Sequence, residues 1–267
     1  MEKIRIAGIL LGLIFVTPLC AEESQQQIDL SKFPAASVDN VVVPVPGEIF
    51  SVLDKLGTPK WRDEMRTDEV KPIADRAQIA FLLGTVIADG FVAVEAEDKE
   101  EVKKIGKEVL RLAEAINVRK SVITRCKSIT DQADARKWSA VRQEFDGALH
   151  DVRAGMQELN DDDLAQLVSL GGWVRGTEVL TSVVEKNYSA DGADLLHQPG
   201  LINYFDKRID SMNVRLRKNP LVERVQRMLG KIRPLTGEKD GANISLDSVK
   251  RIHKMSTEMV NAIRETK

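Results

Sequence analysis

From Pro72 onward, apolar residues return every three or four positions, the spacing that gathers them on one face of an α-helix. Over Pro72 to about Ala96 the series Ile73, Ala77, Ala80, Phe81, Gly84, Ala88 and Phe91 keeps that step. Further apolar residues fill the gaps, which predicts a helix buried on more than one side. Asp98 or a neighbour starts the next helix, where Val102, Ile105, Val109, Leu112 and Ile116 form a single seam with Lys and Glu on the other faces. The pattern continues as helices over about 119–132, 136–159 and 162–186, with the Asn160–Asp163 run supplying N-caps for the third.

A break from Asn187 to Gly192 precedes a short segment to His197. Gln198-Pro199 then opens a helix whose Ile202, Phe205, Ile209, Met212 and Leu216 again step by three and four. Asn219-Pro220 restarts the chain, with proline at the first helical position, and Leu221, Val225, Met228, Leu229 and Ile232 make the next apolar face. Residues 234–243 carry Pro234, Gly237 and Gly241 and predict a loop. Ser245 or Asp247 caps a final helix over about 245–265. Eight or nine helices without a convincing strand define an all-α fold, an irregular antiparallel helical bundle without disulfides. Helix lengths are uneven and no signature recurs, which excludes a short-period repeat array.

The N-terminal stretch follows a different rule. Glu2, Lys3 and Arg5 lead into an unbroken apolar run from Ile6 to Val16, and Thr17-Pro18-Leu19-Cys20-Ala21 closes it ahead of Glu22-Glu23. That run is within the ~7–15 residues of a secretory signal core and short of the ~20 a transmembrane helix needs. The expectation is a signal peptide over 1–21, cleavage near Ala21 and a periplasmic or secreted mature chain with no transmembrane span. Cys20 sits where a bacterial lipoprotein carries its lipid, so a lipid anchor there is the alternative; Leu19 in place of a small residue argues against it. Residues 22–46 lack helical periodicity and contain Pro44 and Pro46, which predicts an extended leader. The folded domain is expected over 47–267, opening with a short helix from Gly47 to Leu56, Gly57 at its end, and Thr58-Pro59 as the next helix start.

Composition changes the picture in two respects. The chain is 43% hydrophobic but only 4% aromatic, enough for a core and biased toward helix formers. Removing Lys3, Arg5 and Glu2 from 39 basic and 41 acidic residues leaves 37 and 40, so no global charge points to nucleic acid. Cleavage also removes one of the two cysteines. Cys126 then has no intramolecular partner, and its place three residues from Ile123 and from Ile129 predicts burial.

Two helices carry glycines four residues from another small residue: Gly84 with Ala88, and Gly172 with Gly176. Each internal glycine costs about 1 kcal/mol relative to alanine, so close approach of the two backbones is the expected reason. Beside these positions stand Asp89, Arg175, Glu178 and Trp173, candidates either for a polar pocket or for a buried ion pair that fixes helix register.

Other chemistry is absent or weak. His150, His197 and His253 are far apart without ligand spacing, so no metal site is expected. No nucleophile elbow, P-loop or dinucleotide fingerprint is present, and no cofactor is implied. The acidic runs at Glu95–Glu101 and Asp161–Asp163 suit helix N-termini and lack the calcium-loop order. From Lys207 to Arg233, nine basic residues face two acidic ones. Arg208, Arg215, Arg217, Lys218, Arg224 and Arg227 are the candidates there for an anionic envelope partner: a protein, a lipid surface or a cell-wall polymer. The sequence leans toward a non-enzymatic binding module of the bacterial envelope. A ligand receptor or enzyme with its site between the glycine-bearing helices, and a membrane-tethered assembly factor, are the alternatives.

Overall fold

A computed structural model describes residues 36–38, 41–43, 59–66, 68, 71–237 and 243–265. The expected signal peptide, Cys20 and the expected helix from Gly47 to Leu56 lie outside them. In chain order the elements are strands β1 (Ala36–Val38) and β2 (Val41–Val43), a 3-10 turn over Trp61–Glu64, and helices α1 (Arg76–Glu95), α2 (Lys99–Ala115), α3 (Arg119–Asp134), α4 (Trp138–Glu158), α5 (Asp162–Lys186), α6 (Ala190–Asp194), α7 (Pro199–Ser211), α8 (Val214–Arg217), α9 (Pro220–Ile232) and α10 (Leu246–Arg264). The fold is an all-α bundle. The two short strands, which no apolar alternation announces, pair antiparallel with Ala36 opposite Val43 and Val38 opposite Val41.

Helix boundaries follow capping chemistry. Asp75 accepts from the Gln78 amide to start α1, Asp98 from Glu101 to start α2, Ser245 from Ser248 to start α10, and Asn219 from Leu221 and Val222 to start α9. No helix begins at Pro59: the turn there starts after Lys60, and Pro59 only lends its carbonyl to the Trp61 amide. The expected helix over 198–216 is split. Its main part stops at Ser211, and Asn213 caps a separate single turn while its own amide and side chain donate to Asp163.

The links between α1, α2, α3, α4 and α5 share one geometry. Glu97, Asn117, Arg136 and Asn160 each take a left-handed φ, at 50°, 68°, 55° and 56°. The following amide closes the Schellman hydrogen bond back to the helix it leaves, as from Asp98 to the Ala93 carbonyl and from Val118 to that of Ala113. Each turn reverses the chain, so neighbours in sequence run antiparallel and α5 returns parallel to α1. Helix α2 packs on α1, α3 on α2, α4 on α3, and α4 closes the ring against α1.

Helices α1 and α5 form the centre. Every residue of α1 from Ile79 to Val94 is buried, and in α5 the stretch Leu164–Val184 is interrupted only by half-buried Gln166 and Ser182. Helix α1 is apolar and long enough to cross a bilayer, with a mean hydropathy of 1.9 in its best window, yet the other helices enclose it. The α1–α5 pairing is the most extensive among the described elements, and α10 covers its other flank. The contact is close because glycines meet backbone. A Cβ on Gly84 would stand 2.0 Å from the Val168 carbonyl oxygen and 2.7 Å from the Gly172 nitrogen, and one on Gly171 would stand 2.1 Å from the Phe81 carbonyl oxygen. Ala88 is fully buried one turn further on, and Gly176 is buried on α5.

Candidate functional site

The side chains that α1 and α5 bring together just beyond this crossing are charged. Arg175, 3% exposed, donates from Nε to Oδ1 of Asp89 (2.6 Å), from Nη1 to Oε2 of Glu178 (2.8 Å) and from Nη2 to the Glu64 carbonyl (2.6 Å). The second oxygen of Glu178 accepts from Arg66 (2.7 Å), and the second oxygen of Asp89 lies 3.4 Å from Nη1 of Arg264. Arg264 in turn donates from Nε to Asp68 (2.8 Å), and Lys186 pairs with the Glu64 carboxylate. Four carboxylates and four cations thus alternate through the network.

Burial penalises the charges at the centre of this array, on Arg175, Asp89 and Glu178, so its stability depends on their complete pairing. Burial alone would raise the Glu178 pKa, but Arg175 and Arg66 outweigh it and hold the carboxyl below its ordinary range. Burial likewise works against the Arg175 cation, and Asp89 and Glu178 reverse it, raising the guanidinium above its usual value. The network pins the 61–66 segment, α1, α5 and α10 to one another. Arg175 uses all three of its guanidinium nitrogens inside the fold, which fits a fastener of helix register better than a ligand-binding group.

Trp173 is not part of it. Two residues before Arg175, it points roughly 200° away around the helix. There its ring lies 5.8 Å from that of Phe205, and Nε1 donates to Gln198 (3.0 Å). Arg66, Glu64, Asp68 and Arg264 belong to the network but carry no signal in the sequence, since they come from a non-helical segment and from the far end of the chain.

A cleft of about 370 Å³ opens beside the network, lined by Arg66, Asp68 and residues of α1, α2 and α10. Asp89 and Arg264 lie in its wall, and Lys104, Lys107 and Arg111 reach it from one face of α2. Lys104 pairs with Glu101 (3.3 Å) and Arg111 with Glu108, whereas Lys107 is exposed without a carboxylate partner among the described residues.

The basic stretch forms a second feature, on α7, α8 and α9. Arg215, Arg217, Lys218, Arg224 and Arg227 are exposed and Arg208 is half-buried. Arg208 stacks over the Tyr204 ring at 5.2 Å, Arg217 donates to the Asp210 carbonyl (3.0 Å), and Arg227 lies 3.8 Å from Glu223. Arg215, Lys218 and Arg224 meet no carboxylate among the described residues. Val214, at the start of the α8 turn, is 55% exposed in their midst.

Among the described residues no group of three His, Cys, Asp or Glu side chains could hold a metal ion. His150 is exposed beside Asp151, while Nδ1 of His197 lies 2.9 Å from the Thr236 carbonyl and that of His253 3.2 Å from the Glu178 carbonyl. Cys126 is buried, and burial pushes its thiol up to about 11. Its helix neighbour Ile129 is buried with it, but Ile123 is 44% exposed. Compared with protein-family models, with curated proteins and with solved structures, the chain matches none.

Proposed function

We propose that the mature chain is an exported, non-enzymatic helical module that docks on an anionic lipid surface of the bacterial envelope through α7, α8 and α9. The observation that carries this reading is the pairing of charge with an apolar tip: Val214 stands exposed on a single helical turn among Arg215, Arg217 and Lys218, with Arg224 nearby in sequence on the next helix. Basic side chains near an anionic bilayer each contribute about 1 kcal/mol, and an apolar side chain inserted at the headgroup level adds to them. The signal-like N-terminus supports the compartment, and the internally satisfied Arg175 network supports a structural core in place of a catalytic one.

The test is co-sedimentation of residues 22–267 with vesicles of phosphatidylglycerol or of phosphatidylcholine. Binding to the first and not the second is expected, falling steeply between 50 and 300 mM salt, as screening of exposed charges requires. The triple variant R215E/R217E/K218E should stay in the supernatant. Equal binding of wild type and triple variant, or none by either, overturns the reading.

A further inference from the structure

The cleft beside the ion network is lined by nine charged side chains together with Val86 and Ile105, and the groups gathered at Arg264 differ in how firmly they are held. On one side Arg264 has only 8% of its side chain exposed, is carried on the last turn of α10, and has Asp89 at 3.4 Å. Beside it Asp68, the carboxylate that Arg264 grips, has 56% of its side chain exposed. Its Oδ2 accepts from Arg264 Nε (2.8 Å), while Arg264 Nη2 donates to the Asp68 carbonyl (2.9 Å). A buried, fixed guanidinium thus holds a carboxylate whose outer side is open to solvent.

Across the cleft, Lys104, Lys107 and Arg111 follow one another at steps of three and four on the same face of α2. Lys107 has no partner among the described residues, and Lys104 and Arg111 are held only by neighbours on their own helix. We infer that this cleft binds a small di- or tricarboxylate, one carboxylate replacing Asp68 on Arg264 and another meeting the Lys104–Lys107–Arg111 stripe. Guanidinium groups favour carboxylates because their planar donors match the two oxygens. The volume of about 370 Å³ is at the small end of ligand sites, suited to a metabolite-sized acid and too small for a polymer segment. Asp68 acts as the resident competitor, which keeps Arg264 paired when no ligand is bound.

This site is separate from the lipid-facing surface, so the two readings fail independently. The probe is citrate, titrated into residues 22–267 by calorimetry at constant ionic strength, with inorganic phosphate as the comparison anion. Citrate should bind wild type, bind Asp68→Asn at least tenfold more tightly, and bind Lys107→Ala several-fold more weakly. Arg264→Gln should abolish the heat. If that variant does not fold, as judged by circular dichroism, the exposed triple substitution K104A/K107A/R111A takes its place. R215E/R217E/K218E should bind citrate like wild type. No binding by wild type or Asp68→Asn, equal affinity in Asp68→Asn and wild type, phosphate binding as tightly as citrate, or loss of citrate in R215E/R217E/K218E each overturns the assignment.

Discussion

Replacing Gly84 by alanine adds one methyl group at the tightest point of the central helix pair. That Cβ would sit 2.0 Å from the Val168 carbonyl oxygen and 2.7 Å from the Gly172 nitrogen, both backbone atoms that no rotamer change can move. To restore a tolerable contact, α1 and α5 must part by roughly 1 Å, a gap that forfeits a quarter to a half of the dispersion energy of the facing atoms. Overpacking of this kind costs about 1–3 kcal/mol, and here the upper end applies because both helices are buried along most of their length. Alanine returns about 1 kcal/mol of helix propensity, leaving a net loss near 2 kcal/mol, or a fall in Tm of about 4–8 °C. Gly171→Ala, aimed at the Phe81 carbonyl at 2.1 Å, should behave alike. Gly106 and Gly230 provide the control: nothing lies within 4 Å of a Cβ at either position, so the same substitution should stabilise by about 0.5–1 kcal/mol. The assay is thermal and urea unfolding followed by circular dichroism at 222 nm. If Gly84→Ala shifts Tm upward as Gly106→Ala does, the close-crossing account of the core is refuted.

Other outcomes follow from the network and the turns. Arg175→Gln leaves Asp89 and Glu178 buried with a cation missing, which should cost about 3–5 kcal/mol at pH 7 in urea unfolding. Glu178 has a lowered folded pKa, so its contribution is present above its unfolded value near 4.5 and is lost as pH falls through the folded value. Glu178→Gln should therefore be less stable than wild type at pH 7, with the gap narrowing below about pH 4.5 in parallel melts. Arg136, exposed and at φ 55°, occupies a position suited to glycine; Arg136→Gly should raise stability by about 0.5–1 kcal/mol, measured by the same unfolding assay.

Much of this fold is legible along the chain because helix seams and caps are local. Val102, Ile105, Val109, Leu112 and Ile116 announce α2, and Asp98, Asn219-Pro220 and Ser245 mark starts that depend on neighbours within three residues. The left-handed turns at Glu97, Asn117, Arg136 and Asn160 are less visible, since no glycine marks them and only Asn117 and Asn160 carry the side chain that tolerates this backbone next best. The apolar spacing from Ile202 to Leu216 runs straight through a break in the helix after Ser211, where Asp163, some 50 positions away, accepts from Asn213 outside the helix. The candidate site divides in the same manner. Asp89, Arg175 and Glu178 stand out as charges beside small residues in apolar helices, and the i, i+3 spacing of the last two places them on one face. Trp173 shares the sequence neighbourhood but not the face. Arg66, Asp68 and Arg264 join through tertiary packing alone, so the cleft they line has no sequence signature.

The central functional claim, that α8 meets an anionic bilayer, is tested most directly at Val214. Residues 22–267 with Val214→Cys can be labelled there with an environment-sensitive fluorophore, because Cys126 is buried and its thiol is pushed up to about 11, leaving it protonated and inaccessible at neutral pH. On adding phosphatidylglycerol vesicles the emission should shift to the blue and become protected from aqueous iodide, and phosphatidylcholine vesicles should produce neither change. An emission spectrum unaltered by anionic vesicles, under conditions where the protein co-sediments with them, contradicts the account.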